Sequence, residues 1–165
     1  VLMASVLGFL VFNLPLGINA RLRTFMGDAG SMFLGLAITW FGVVLTQGEA
    51  AVASAVSLLW FAALPIHDLI ATVIHRLMEG RLPWSAGRDH VHHHLMARGI
   101  SSRWTLALLL ATCVAYAVIG LSGPLLGVQD GVLFIAWLLA GVAHFLVFRR
   151  RGLIRAALRR LITGK

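Results

Sequence analysis

The chain has 165 residues, 59% hydrophobic and only 12% charged, with a formal net charge of +8 and a mean hydropathy of +0.90. Soluble domains carry about 25% charged residues, so half that fraction excludes an ordinary water-shielded core and makes the bilayer the solvent. The single cysteine, Cys113, excludes an internal disulfide.

Residues 1–12 form an apolar run shorter than the roughly 20 residues needed to cross a membrane. It reads as the end of a truncated transmembrane helix, and the chain as the C-terminal part of something longer. A loop over 13–28 then leads to four charge-free runs, 29–47 (19 residues) and 50–66, 105–121 and 132–148 (17 each). The second extends to residue 74 if Asp68 is tolerated near one end. Each fits one membrane helix, because backbone polar groups in hydrocarbon must be satisfied within the segment. The period-2 alternation of a membrane β-barrel is absent. The expected fold is all-α, a polytopic transmembrane bundle of four full helices, a truncated N-terminal one and an amphipathic C-terminal helix.

The basic residues fix the expected orientation. Arg21 and Arg23 lie in the first loop, and Arg76, Arg81, Arg88, Arg98 and Arg103 in the loop over 75–103. Seven more lie in residues 149–165, and the two connections at 48–49 and 122–131 carry none. By the positive-inside rule the charged loops and the C-terminus are cytoplasmic. The positive charge is therefore a topology signal, and a nucleic-acid partner is not expected. Residues 1–148 read as a transmembrane catalytic fragment. Residues 149–165 read as a basic amphipathic tail lying on anionic headgroups, with Leu153, Ile154, Ala157, Leu158, Leu161 and Ile162 on one face.

Two cytoplasmic loops concentrate chemistry. In the first, Gly27-Asp28-Ala29-Gly30-Ser31 runs directly into a membrane helix. Free N–H groups at a helix N-terminus suit phosphate, and a carboxylate beside them can hold Mg²⁺. The same residues could equally be an Asp N-cap in a glycine-rich turn. The second loop reads Gly87-Arg88-Asp89-His90-Val91-His92-His93-His94. Imidazoles can ligate metal, donate to phosphate or carry protons. Without a nearby cysteine, structural zinc is a poorer fit than diphosphate recognition alongside Arg88 and Arg98. A solvated basic loop, or the His-rich loop of a metal-binding or transport protein, are the competing readings. Of the other candidates, His67-Asp68 is either a functional intramembrane pair or a helix-end kink. His75 and His144 read as interfacial, Trp40, Trp60, Trp104 and Trp137 as packing, and Trp84 as a loop anchor.

Taken together, Phe25-Met26-Gly27-Asp28-Ala29-Gly30-Ser31 opening a helix and His90-Val91-His92-His93 in a later loop resemble the polyprenyl-phosphate N-acetylhexosamine-1-phosphate transferases (glycosyltransferase family 4). The bacterial undecaprenyl-phosphate N-acetylglucosamine-1-phosphate branch matches best. The resemblance implies transfer of a sugar 1-phosphate from a UDP-sugar to undecaprenyl phosphate, with release of UMP, at the bacterial inner membrane in cell-envelope polysaccharide synthesis. Its cofactor would be Mg²⁺, with Mn²⁺ as a substitute. The resemblance is compatible with a homodimer. Asp28 matches the family's carboxylate at the metal centre, and His90, His92 and His93 its histidine motif. Asn13, Gly27, Gly30, Ser31, Arg88 and His94 fall to the substrate. Many relatives carry an Asp where this chain has Gly87. The family's aspartate motifs from its first half are absent here, so this segment is expected to be inactive alone. An inactive truncated remnant is the remaining alternative.

Overall fold

In a computed structural model, residues 1–14, 24–49, 51–85 and 87–163 are described, with backbone alone from 148 onward. Arg21, Arg23 and the side chains of the basic tail lie outside them. Seven α-helices are described: α1 (Leu2–Asn13), α2 (Gly27–Thr46), α3 (Ala55–Phe61), α4 (Ala63–Met78), α5 (Val91–Met96), α6 (Ser102–Leu125) and α7 (Asp130–Thr163). The all-α membrane bundle expected from sequence is what forms.

Three segments are long and apolar enough to cross a membrane: α2, α6 and residues Asp130–Val147 of α7. The fourth expected span is broken instead, into α3 and α4, which meet at 71°. Pro65 explains the break. It has no N–H to offer the Phe61 carbonyl four residues back, and its ring crowds that carbonyl, so α3 stops at Phe61. In α4 the same proline falls within the first turn, where a missing N–H costs nothing. Taken as one bent span, α3 and α4 return the chain to the end from which α2 began. α7 continues unbroken through the basic tail to Thr163.

The bend is locked by two tryptophans. The last carbonyls of α3 have no helical partner, and Trp137 of α7 supplies one, its Nε1–H donating to the Leu59 carbonyl at 3.0 Å. Trp60 of α3 returns the contact, donating to the Leu133 carbonyl at 3.3 Å. These two rings and Ala63 form the buried core, with Tyr116 of α6 packed against it. Trp40 and Trp104, in contrast, are exposed on the bundle surface. Small residues allow close helix approach: Gly42 of α2 faces Leu58, Gly120 of α6 faces Trp60, and Gly123 faces Leu133.

Candidate active site

Helix α4 carries a polar face in an otherwise apolar segment. Asp68, Thr72 and Arg76 recur every four residues, so they stack on one side, and all three are buried. Ionisable groups inside a membrane bundle need partners, and here the histidine loop provides them.

Asp68 holds the head of α5. Its Oδ1 accepts the Val91 backbone N–H at 3.0 Å, and its Oδ2 lies 3.0 Å from Nδ1 of His90. The first N–H groups of a helix lack internal acceptors, so a carboxylate from α4 caps α5 from outside. His144 of α7 adds a third neighbour, its Nε2 lying 3.8 Å from Asp68 Oδ1. His67 packs edge-on against Tyr116 and tilted against Trp137, and is almost fully buried.

Eight residues along α4, Arg76 fastens the other side of the loop. Its Nε donates to Asp89 Oδ2 at 3.0 Å and its Nη1 to the Pro83 carbonyl at 2.7 Å. Arg81 adds a second guanidinium to the same oxygen at 3.2 Å. Burial pushes the Asp89 carboxyl up, but the hydrogen bonds from Arg76 and Arg81 outweigh it and hold it below the usual carboxylate range. The Glu79 and Asp89 carboxylates in turn raise Arg81. His94 Nε2–H donates back to the Asp89 carbonyl at 3.0 Å.

So fixed, the loop gathers its imidazoles. His90 and His92 are parallel with ring centres 6.0 Å apart, and His92 and His93 are 4.0 Å apart. Burial, then the positive potential of His93 and His90, lowers the His92 pKa, which keeps that ring neutral at pH 7. Arg88, His93, His94, Met96 and Ala97 line a cleft of about 350 Å³. The lining combines cationic and imidazole groups with apolar side chains, as suits an anionic ligand held beside lipid. Trp84, in the same loop, is exposed.

The first loop contributes differently. Asp28 is exposed in the first turn of α2, with Gly27 before it at φ +70° and Ser31 donating to its backbone carbonyl at 2.9 Å. Gly30 packs on the Met26 side chain. Asn13 ends α1, and its side-chain amide donates to the Phe9 carbonyl and the Thr24 hydroxyl, tying α1 to the entry of α2. With α3 and α4 taken as one bent span, chain direction puts Asp28 and the histidine loop at the same end of the bundle. They do not combine into a metal centre, however. Among the described residues no group of three or more His, Cys, Asp or Glu side chains is arranged to hold a metal ion. Asp68 and Asp89 are engaged by the loop, and Asp28 and Glu79 are exposed acids among the described residues at this end. These residues alone do not fit a complete Mg²⁺ site.

Sequence reading singled out Asp28 and the histidines but gave little weight to Asp68, His144 and Arg76. The Asp68–Thr72–Arg76 spacing was the available signal.

The profile of glycosyl transferase family 4 matches residues 1–46, which include the Gly27–Ser31 motif. The chain is 33% identical over 138 residues to the undecaprenyl-phosphate alpha-N-acetylglucosaminyl 1-phosphate transferase of Pasteurella multocida, covering 84% of the chain and 39% of that protein. The Yersinia pestis protein of the same name is 33% identical over 150 residues, 90% of the chain and 41% of the relative. That of Escherichia coli K12 is 35% identical over 119 residues, 72% of the chain and 32% of the relative. The chain thus spans about two fifths of the length of the first two. No solved structure matches it.

Proposed function

We propose, from the premise that this chain belongs to glycosyl transferase family 4, that it serves a membrane transferase moving N-acetylglucosamine 1-phosphate from its UDP-sugar to undecaprenyl phosphate. An oxygen of the lipid phosphate attacks the sugar-bearing phosphorus, the P–O bond to the nucleotide breaks, and UMP leaves. Such transfers need positioning and charge neutralisation more than covalent help from the protein.

The observation that carries this reading is the fastened histidine loop with its cleft of Arg88, His93 and His94 at the end of a membrane bundle. Arg88 can grip diphosphate oxygens through its fork of donors, and His93 can donate a further hydrogen bond. Met96 and Ala97 add apolar lining to the same cleft. The positive-inside rule applied to the basic loops supports a cytoplasmic orientation of this end at the inner membrane, where nucleotide sugars are available. Mg²⁺, or Mn²⁺ in its place, would offset charge on the diphosphate. Asp28 would be one ligand to it, and the others would come from outside the described residues.

The test is UMP release from UDP-N-acetylglucosamine by the protein carrying this chain, with and without undecaprenyl phosphate and with Mg²⁺ added or chelated. Release that requires lipid phosphate and metal supports the reading. Tight Zn²⁺ or Ni²⁺ binding by the loop, with no nucleotide binding, would replace it with metal transport.

A further inference from the structure

Asp68 lies outside the substrate cleft, on a helix the reaction does not otherwise use, and its two oxygens do different things. Oδ1 caps α5 through the Val91 N–H, while Oδ2 faces Nδ1 of His90. We infer that Asp68 is a positioning residue that fixes the tautomer of His90. A carboxylate can only accept, so His90 must carry its proton on Nδ1. In the neutral ring Nε2 is then left with a lone pair. A second-neighbour hydrogen bond of this kind sets which imidazole nitrogen is available for chemistry. On the reading above, that nitrogen is free to accept a proton or a hydrogen bond from the phosphate-bearing substrates. The inference rests on that reading only for its catalytic consequence and on geometry for the tautomer.

The surroundings match this role. His144 of α7, at 3.8 Å, is the other titratable group on the carboxylate. His92 of α5 lies parallel to His90, and His67 of α4 has its ring centre 6.3 Å from that of His144. The Asp89–Arg76–Arg81 cluster occupies the opposite side of the loop and sets its position without touching Asp68.

Asp68→Asn separates orientation from capping. Its amide oxygen still accepts the Val91 N–H, but its NH₂ now faces His90 Nδ1 and can only donate, which moves the ring proton to Nε2. Asp68→Ala removes both functions. Nitrogen-15 spectra of ring-labelled histidine in this chain, assigned with His90→Gln, read the tautomer directly and need no activity. Nδ1–H in the wild type and Nε2–H in Asp68→Asn, with unchanged helical circular dichroism, is the expected result. In the protein carrying this chain, the Asn variant should lose at least ~10²-fold in turnover and alter the acidic limb of its pH–rate profile. The same His90 tautomer in both proteins, or wild-type turnover in Asp68→Asn, would overturn the inference. A wild type that shows the Nδ1–H form yet releases no UMP sinks the transferase reading instead, leaving the Asp68–His90 pairing established.

Discussion

The Asp89 carboxylate fills the space that a side chain at Gly87 would need. A Cβ on Gly87 would collide with Asp89 Oδ2 and lie 2.8 Å from the Arg81 guanidinium. Gly87→Asp alone should therefore destabilise, because two carboxylates contend for one place. Asp89→Gly alone leaves the buried Arg76 charge without its carboxylate, at a cost of about 3 kcal/mol. The double variant Gly87→Asp/Asp89→Gly should recover to within roughly 1 kcal/mol of wild type. Thermal unfolding in detergent micelles measures all three. A double variant as weak as the sum of its singles would show that the acid cannot be moved.

Acidity should loosen the loop in two separated stages. The His92 pKa is depressed in the folded loop, so between that value and about 6.5 the unfolded loop binds the proton more readily. Stability is complete above about pH 6.5 and falls as the pH drops. Asp89 is also depressed, but from the carboxylate range, so its contribution is kept down to about pH 4 and lost only below. Amide exchange in α5, corrected for intrinsic rates, should lose protection between pH 7 and 5. In His92→Gln that slope should flatten while the loss below pH 4 persists. An unchanged slope in the variant would assign the first stage to another histidine.

Asp28→Asn should leave insertion and helix content intact, since the side chain is exposed and Gly27, rather than a side-chain cap, shapes the turn. Turnover in the protein carrying this chain should fall at least ~10²-fold if the carboxylate holds metal against phosphate. The 165 residues alone should release no UMP, because their described acids do not assemble a metal site. Metal-dependent release by the isolated chain would contradict the second expectation, and wild-type turnover in Asp28→Asn the first.

How much was legible follows from which forces act locally. The membrane helices could be read because each is an uncharged run, a property of single residues summed over a window. The break at Pro65 was hidden by the same averaging, since hydropathy does not register a missing N–H. The Asp28 and histidine motifs stood out as polar residues in an apolar chain. Their partners did not: the Asp68–His90 bond joins residues 22 positions apart and exists only because the loop folds back onto α4. Asp68, Thr72 and Arg76 recur with the helical period, which announces a buried polar face without saying what covers it.

Gly120 tests whether the bent span depends on close helix approach. A Cβ there would sit 2.6 Å from the Trp60 Cβ and 3.0 Å from the Ser57 carbonyl oxygen. Neither can retreat easily, because the carbonyl is backbone and Trp60 is pinned through Leu133. Gly120→Ala should thus force α6 away from α3 at a cost of about 1–3 kcal/mol, outweighing the few tenths to 1 kcal/mol that alanine gains in helix propensity. Gly131, at the start of α7, has no heavy atom within 4 Å of its Cβ position, so Gly131→Ala should be neutral or slightly stabilising. Thermal midpoints in the same detergent compare the two. Equal midpoints would mean that α6 can shift outward without strain, and that the two tryptophan hydrogen bonds alone hold the bend.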